Sequence, residues 1–434
     1  MTVVPLELSA EWEGSNVGSA EGRACFAAIS LRSGDVYLTE AEDAFIKRVR
    51  RGVHLSAYKL AEWLAWNWWR LRWEPYRRSP DWAMAHRMST IGGGYVWPNV
   101  TIASDGERVA VVAQPTRPHP AEPLRYLADV AAVAPADDFE EATDAFVEQV
   151  RGQLDAEGVR GTNLDAVWRE VLTERSDPQA ALRRKLEALL GRDPGEADEA
   201  RIERFVADGE VLGPAAVAEL SAAGEAMHLD DLASMAERVG RPIEPRDAAR
   251  LGPEILRLLP SSGPAWRRGS EAARALRRQE RLSQGRRVSD ARLRQMAGVA
   301  ASAPVAGGAG PLTFVLERSD VAGVVVLRPR GREGQRFDLA RLIGDRITAG
   351  SNDRLRPVTR AHTYRQKQQR AFAAEFLVPF EALKDMLGDD FSDEAQASVA
   401  GHFGVSSWVV RHQLQNRGLL GRDYLSADGE PVAA

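Results

Sequence analysis

Chemistry in a protein needs nucleophiles, acid–base groups or metal ligands at a workable spacing. This chain has one cysteine, Cys25, and seven histidines: His54, His86, His119, His228, His362, His402 and His412. A single cysteine excludes an intrachain disulfide and a multi-cysteine zinc knuckle. No His-Glu-x-x-His sequence occurs. His402 and His412 stand ten residues apart across an expected turn and read as ordinary surface or packing side chains. Spacing defines no Ser/His/Asp triad and no paired-carboxylate site. On their own, the residues assign no catalytic group and no metal ligand.

Other groupings suit binding. Residues 266–294 contain ten arginines, opposed only by Glu271, Glu280 and Asp290. Clustered guanidinium groups bind phosphates, so Arg274, Arg277, Arg278 and Arg281 are candidate nucleic-acid contacts. The plainer reading is a solvated helix pair, or a contact with the acidic middle of the chain. Residues 63–75 hold Trp63, Trp66, Trp68, Trp69 and Trp73 beside Arg70 and Arg72, with Arg77 and Arg78 just beyond. Such rings can stack on bases or sugars while the arginines meet phosphates. A small domain with few aliphatics also needs large side chains for its core, with arginines over the rings, and that favours a core. Gly92-Gly93-Gly94 lacks the Lys-Ser/Thr of a phosphate loop and no helix start follows, so it reads as a tight entry into a hairpin. Near the end, Gly404 stands at the turn of a helix-turn-helix-like pair. Ser406, Ser407, Arg411 and Gln413 would lie on its second helix.

These groups need elements to hold them. At roughly 150 residues per domain, 434 residues predict two to three domains. Hydrophobic residues at 44% and charged residues at 27% exclude disordered, collagen-like and disulfide-scaffold classes. The net charge of -5 gives no global reason to expect nucleic acid or membrane binding. No apolar run approaches the about 20 residues needed to span a bilayer. The first residues lack the basic stretch of a signal peptide. A cytoplasmic protein with no membrane partner is expected.

Eight of the 11 tryptophans fall within residues 1–115, which read as a Trp-rich α+β domain. Strands are expected at 3–8 and 35–39. A helix capped by Ser56 is expected over 56–72, and a hairpin at 96–113 around Ser104-Asp105-Gly106. Four prolines in 114–123 read as a linker. An all-α middle domain follows over 124–260, with helices at 139–154, 164–173, 178–190, 200–206, 214–222 and 230–239. A Pro/Ser/Gly stretch at 259–264 reads as the second boundary. The third domain, 264–425, is expected to have helices at 270–282 and 289–297. A small-residue loop at 301–311 comes next, then a strand pair at 313–317 and 321–328. Helices at 338–347, 366–377, 395–403 and 406–414 complete it, before a tail at 426–434. The fold class is α+β.

The third region resembles the metallopeptidase-like domain of the ImmA/IrrE family. The matching residues are Val324-Val325-Val326-Leu327, then Gln335-Arg336-Phe337-Asp338-Leu339-Ala340 at the lead into the metal helix. Ala371-Phe372-Ala373-Ala374-Glu375-Phe376-Leu377-Val378-Pro379 and Phe403-Gly404-Val405-Ser406 follow in the family's order. The resemblance covers about residues 264–425 and implies a zincin-like α+β fold.

Its chemistry does not carry over. In the family's His-Glu-x-x-His, two imidazoles at i and i+4 hold zinc and the glutamate is general base. Here the pentapeptide is Arg341-Leu342-Ile343-Gly344-Asp345. Arg341 and Asp345 fall at the histidine positions, Leu342 at the base, and Gln368 at the family's third ligand. Arg341 and Asp345 remain i and i+4, so they can pair along the helix, either with the guanidinium where zinc would sit or on a plain solvated face. The resemblance thus implies a pseudo-metallopeptidase with no metal and no cofactor. It would be a regulatory or sensor protein that binds another protein, such as a transcriptional repressor, in bacterial stress response or phage defence. Two alternatives stand. One is an active zinc peptidase with ligands rearranged onto Asp345, His362 and a carboxylate such as Glu375, cleaving a repressor. The other is a DNA-binding transcriptional regulator.

Overall fold

A computed structural model describes residues 6–421, except 17, 119–123, 225–226, 261–262, 300–310, 319–321, 329–330 and 350–352. The small-residue loop (apart from Pro311), the 426–434 tail and His119 lie outside the described residues. The fold is α+β. It forms two compact units, one up to Ile202 and one from Glu203 onward.

In the first unit, β1 (Leu6–Trp12) pairs antiparallel with a longer strand along its whole length. Between them lies α1 (Ala20–Ala24), capped by the Ser19 hydroxyl. The longer strand, β2 (Phe26–Ser33), buries Ala27, Ile29 and Leu31 in strict alternation, as a half-buried strand should. β3 (Val36–Tyr37) folds back on β2, β4 (Ala41–Asp43) and β5 (Arg48–Arg50) form a hairpin, and β6 (Val53–Ser56) takes the other edge of β2. α2 (Ala57–Trp66) starts where the Ser56 hydroxyl accepts the Lys59 amide. The single helix expected over 56–72 breaks at Asn67, whose side-chain amide takes the Trp63 carbonyl at 2.8 Å. α3 (Trp68–Trp73) continues beyond it, and α4 (Pro80–His86) follows a Ser79 cap. β7 (Val100–Ser104) and β8 (Arg108–Ala113) form the expected hairpin, with Gly106 at φ 96° and Asp105 Oδ1 accepting the Arg108 amide at 2.9 Å.

The chain beyond the proline-rich stretch returns to these sheets. β9 (Leu124–Tyr126) joins β4, and β10 (Val130–Pro135) joins β8. α5 (Ala136–Ala156), α6 (Asn163–Ser176) and α7 (Pro178–Leu189) then close over the same core. Phe139, Phe146 and Val150 of α5 and Trp168 of α6 pack in one cluster with Trp63, Trp68, Trp69 and Trp97. The expected boundary at 115–124 is therefore corrected: helices 136–189 cover the tryptophans instead of forming a core of their own.

The division falls within α8 (Glu199–Leu212). α9 (Pro214–Ala222) and α10 (Leu229–Val239) follow, then β11 (Arg241–Ile243) and α11 (Pro253–Leu258). The expected boundary at 260–264 is crossed by one core. Ile243 and Leu251 cluster with Ala272 and Leu276 of α12 (Ala265–Gln279). α13 (Asp290–Met296) precedes β12 (Thr313–Glu317) and β13 (Gly323–Val326). α14 (Arg332–Thr348) begins six residues before its expected start and is buried over most of its surface, as an interior helix is. β14 (Leu355–Val358) completes an antiparallel sheet of order β11-β13-β12-β14. α15 (Tyr364–Leu377), α16 (Phe380–Leu387), α17 (Asp393–Phe403) and α18 (Ser407–Asn416) finish the unit. Gly404 between the last two is left-handed at φ 69°.

Candidate functional site

α14 crosses α15 where side-chain volume is given up. A Cβ on Gly344 would lie 2.6 Å from the Phe372 ring. A Cβ on Gly269 of α12 would lie 2.4 Å from the Gln368 carbonyl oxygen of α15. Only glycine permits both approaches. They bring a set of buried polar side chains together.

Asp345 is fully buried. Arg365 grips it with both prongs, Nε to Oδ1 and Nη2 to Oδ2, each at 2.7 Å. Gln369 donates to Oδ1 at 2.8 Å, and Arg356 of β14 stands 3.6 Å from Oδ2. Burial pushes the carboxyl upward, but Arg365 first, then Arg356 and Gln369, outweigh it and hold the group below the usual carboxylate range. Arg365 also donates to Asp353 at 2.8 Å. Burial works against its cation, yet Asp345, Glu219 and Asp353 keep its pKa above the ordinary arginine value. Glu219 of α9 accepts the Thr363 hydroxyl at 2.7 Å, and burial raises its carboxyl pKa.

The pairing expected along α14 is corrected here. Arg341 turns to the strand-to-helix connection, giving Nη2 to the Thr359 carbonyl at 2.8 Å and to Gln366 Oε1. Gln366 also accepts the Thr359 amide at 2.9 Å and donates to the Pro357 carbonyl at 3.1 Å. Asp345 takes its ion pairs from Arg365 and Arg356. Gln368 is buried on α15, but Gln366 and Gln369 are the glutamines that meet α14. Leu342 packs in the apolar core.

This donor set does not fit a zinc ion. Arg341 has no lone pair to give and Leu342 no polar atom. Both oxygens of Asp345 are engaged by donors. Arg341, Arg356 and Arg365 would all repel a dication. The rearranged set is not assembled either. Glu375 accepts Arg274 Nε at 2.9 Å and lies ten residues from Arg365 on α15, about 15 Å along the helix. Burial, with Arg370 and Lys367 nearby, pushes His362 down to about 3 and keeps it neutral, so what is missing is the grouping of ligands and not a usable imidazole. Among the described residues, no three His, Cys, Asp or Glu side chains gather as a ligand group.

The arginine patch divides. Arg277 is buried, donating to the carbonyls of Phe376 and Ser283, and burial lowers its pKa to about 10. Arg274 is half-buried against Glu375. Both are withdrawn from the expected phosphate surface, because α12 packs this face on α15. Arg278 and Arg281 are exposed. In the terminal pair, Ser407, Trp408 and Arg411 are exposed, while Gln413 points inward to the carbonyls of Ala374 and Val378 at 3.0 and 2.8 Å. Arg336 ties this pair to α14 through the carbonyls of Gly404 and Phe403, and it also pairs with Asp290 of α13.

In the first unit, Trp63, Trp68 and Trp69 are core and Trp66 is exposed. Arg70 is spent on Glu74 at 2.7 Å and Arg72 on Glu140 and the Gly106 carbonyl. Trp68, Trp69 and Trp73 wall a cleft of about 250 Å³ with Glu140, Arg175 and Lys185 at its polar side. Gly92, Gly93 and Gly94 all adopt positive φ, and Trp97 Nε1 donates to the Gly92 carbonyl at 2.7 Å.

The residues that sequence reasoning missed are Arg365, Gln366 and Gln369, with Arg356, Asp353 and Glu219. Arg365, Gln366 and Gln369 share one helix face by their i, i+1, i+4 spacing, which was a usable signal. Glu219 comes from α9, far away in sequence, and had none. The chain matches no protein-family model, no curated protein and no solved structure.

Proposed function

We propose that this chain is a non-catalytic, ImmA/IrrE-like regulatory or sensor protein that acts by binding another protein. The resemblance makes a transcriptional repressor the partner class, in a bacterial cytoplasm and a stress-response or phage-defence setting. One observation carries the reading: where the family has its zinc helix, Asp345 is locked by Arg365 and Arg341 by the Thr359 carbonyl and Gln366. Neither side chain is left to hold a metal or move a proton. The test mixes the full chain with purified transcriptional repressors of its source cell. A stable complex containing intact repressor supports the reading. Cleavage of the repressor, or no complex, overturns it.

A second reading, nucleic-acid binding, is favoured only by the exposure of Arg278, Arg281 and Arg411. It predicts that Arg278→Ala with Arg281→Ala lowers the salt slope of duplex DNA binding by about two. An unchanged slope removes these residues from the contact.

A further inference from the structure

The β4–β5 hairpin ends in an unusual surface. Phe45 is 83% exposed, Val49 58% and Ile46 45%. Single exposed apolar side chains are ordinary, but three within five residues at one tip are a patch. No acid interrupts residues 44–51, which also carry Lys47, Arg48, Arg50 and Arg51. Arg50 pairs with Asp43 at 3.5 Å and Arg51 lies over the Tyr37 ring. Among the described residues, Lys47 and Arg48 make no ion pair.

Two backbone amides of the turn are satisfied from within. Asp43 Oδ1 accepts the amides of Phe45 at 3.0 Å and Ile46 at 3.3 Å. Those donors need no water, which lowers the cost of moving the tip into a less polar medium. Lys47 is left-handed at φ 52°, and this reversal carries the chain from the apolar tip into the basic strand β5. β5 is the edge of the sheet β5-β4-β9, so the tip stands at a free margin of it.

We propose that residues 44–51 dock this protein onto an anionic lipid surface, with Phe45 and Ile46 entering the boundary between headgroups and acyl chains. Lys47 and Arg48 face the lipid phosphates. The charge sign selects an anionic surface. The aliphatic side chains select the lipid boundary over nucleic acid, because Ile46 and Val49 offer neither a stacking face nor a hydrogen bond to a base. No described helix is long and apolar enough to cross a membrane, and the contact proposed is a peripheral one. It does not depend on the reading of the α14 site.

The test is cosedimentation of the full chain with phosphatidylcholine vesicles and with vesicles that also contain phosphatidylglycerol. Association only with the second kind is expected. Lys47→Gln with Arg48→Gln should weaken it roughly thirtyfold, the product of two lost cations near an anionic surface. Phe45→Ser with Ile46→Ser should remove it at the same lipid concentration. All four side chains are exposed, so the melting temperature should stay unchanged. The proposal fails if phosphatidylglycerol vesicles are not bound, or if both variants bind like the parent. It also fails if the tip binds duplex DNA and ignores the vesicles.

Discussion

Arg365 holds both oxygens of Asp345 at 2.7 Å, across the crossing of two buried helices. On the proposed reading, this carboxylate takes the place of a zinc-binding histidine. A two-pronged, buried guanidinium–carboxylate pair is a structural fastening whose breakage leaves a charge without its counterion.

Asp345→Ala should therefore lower the stability of the C-terminal unit by about 3 to 5 kcal/mol. Arg365→Met should cost a similar amount. The double substitution Asp345→Ala with Arg365→Met should cost much less than the sum, because neither member of the pair then faces a missing partner. Urea unfolding of the four proteins measures the coupling. Additive losses would mean that the pair is not a unit.

Glycine positions separate packing from propensity. Gly344→Ala puts a methyl into the Phe372 ring and should cost about 1 to 3 kcal/mol. Gly401 lies in α17 with nothing within 4 Å of an added Cβ. Gly401→Ala should stabilise by about 1 kcal/mol through helix propensity. Opposite shifts in thermal unfolding are the expected outcome.

Asp290 supplies a pH dependence. Burial opposes its charge, but Arg332 and Arg336, with Arg287, hold its pKa near about 2 against an ordinary 3.8. A depressed folded-state pKa contributes stability above the unfolded value and loses it as pH falls through the folded one. Stability of the C-terminal unit should thus decline as pH falls between about pH 4 and pH 2. Asp290→Asn should flatten that window, as read by urea midpoints at stepped pH. An unaltered slope would assign the acid loss to other carboxylates.

Much of the element order was legible because its ends are punctuated. Pro214 directly after Gly213 marks the start of α9, and Ser289 caps α13. The apolar run Thr313–Glu317 reads as a strand without tertiary help. β2 was not seen, because its alternation is built from Ala27, Ala28 and Ser30, side chains too small to announce a face. β14 hides behind Pro357, tolerated because the strand is at the sheet edge. α16 was missed because Pro379 reads as a stop and serves instead as a helix start.

The positions Arg341 and Asp345 were legible, but their partners were not. Helical spacing pairs them with each other, whereas the crossing enforced by Gly344 gives each a different partner from β14 or α15. The domain boundaries went the same way. Composition distinguishes residues 136–189 from the Trp-rich region. It does not say which core the apolar face of α5 joins, and that face closes over the tryptophans.

On the proposed reading, the α14 site holds an ion pair in place of a metal. The most direct measurement is the zinc content of the full chain, purified without added metal and without a metal-binding tag. Zinc far below one equivalent and a melting temperature indifferent to chelator are expected. About one zinc per chain, lost to chelator and abolished by Asp345→Ala, would contradict it.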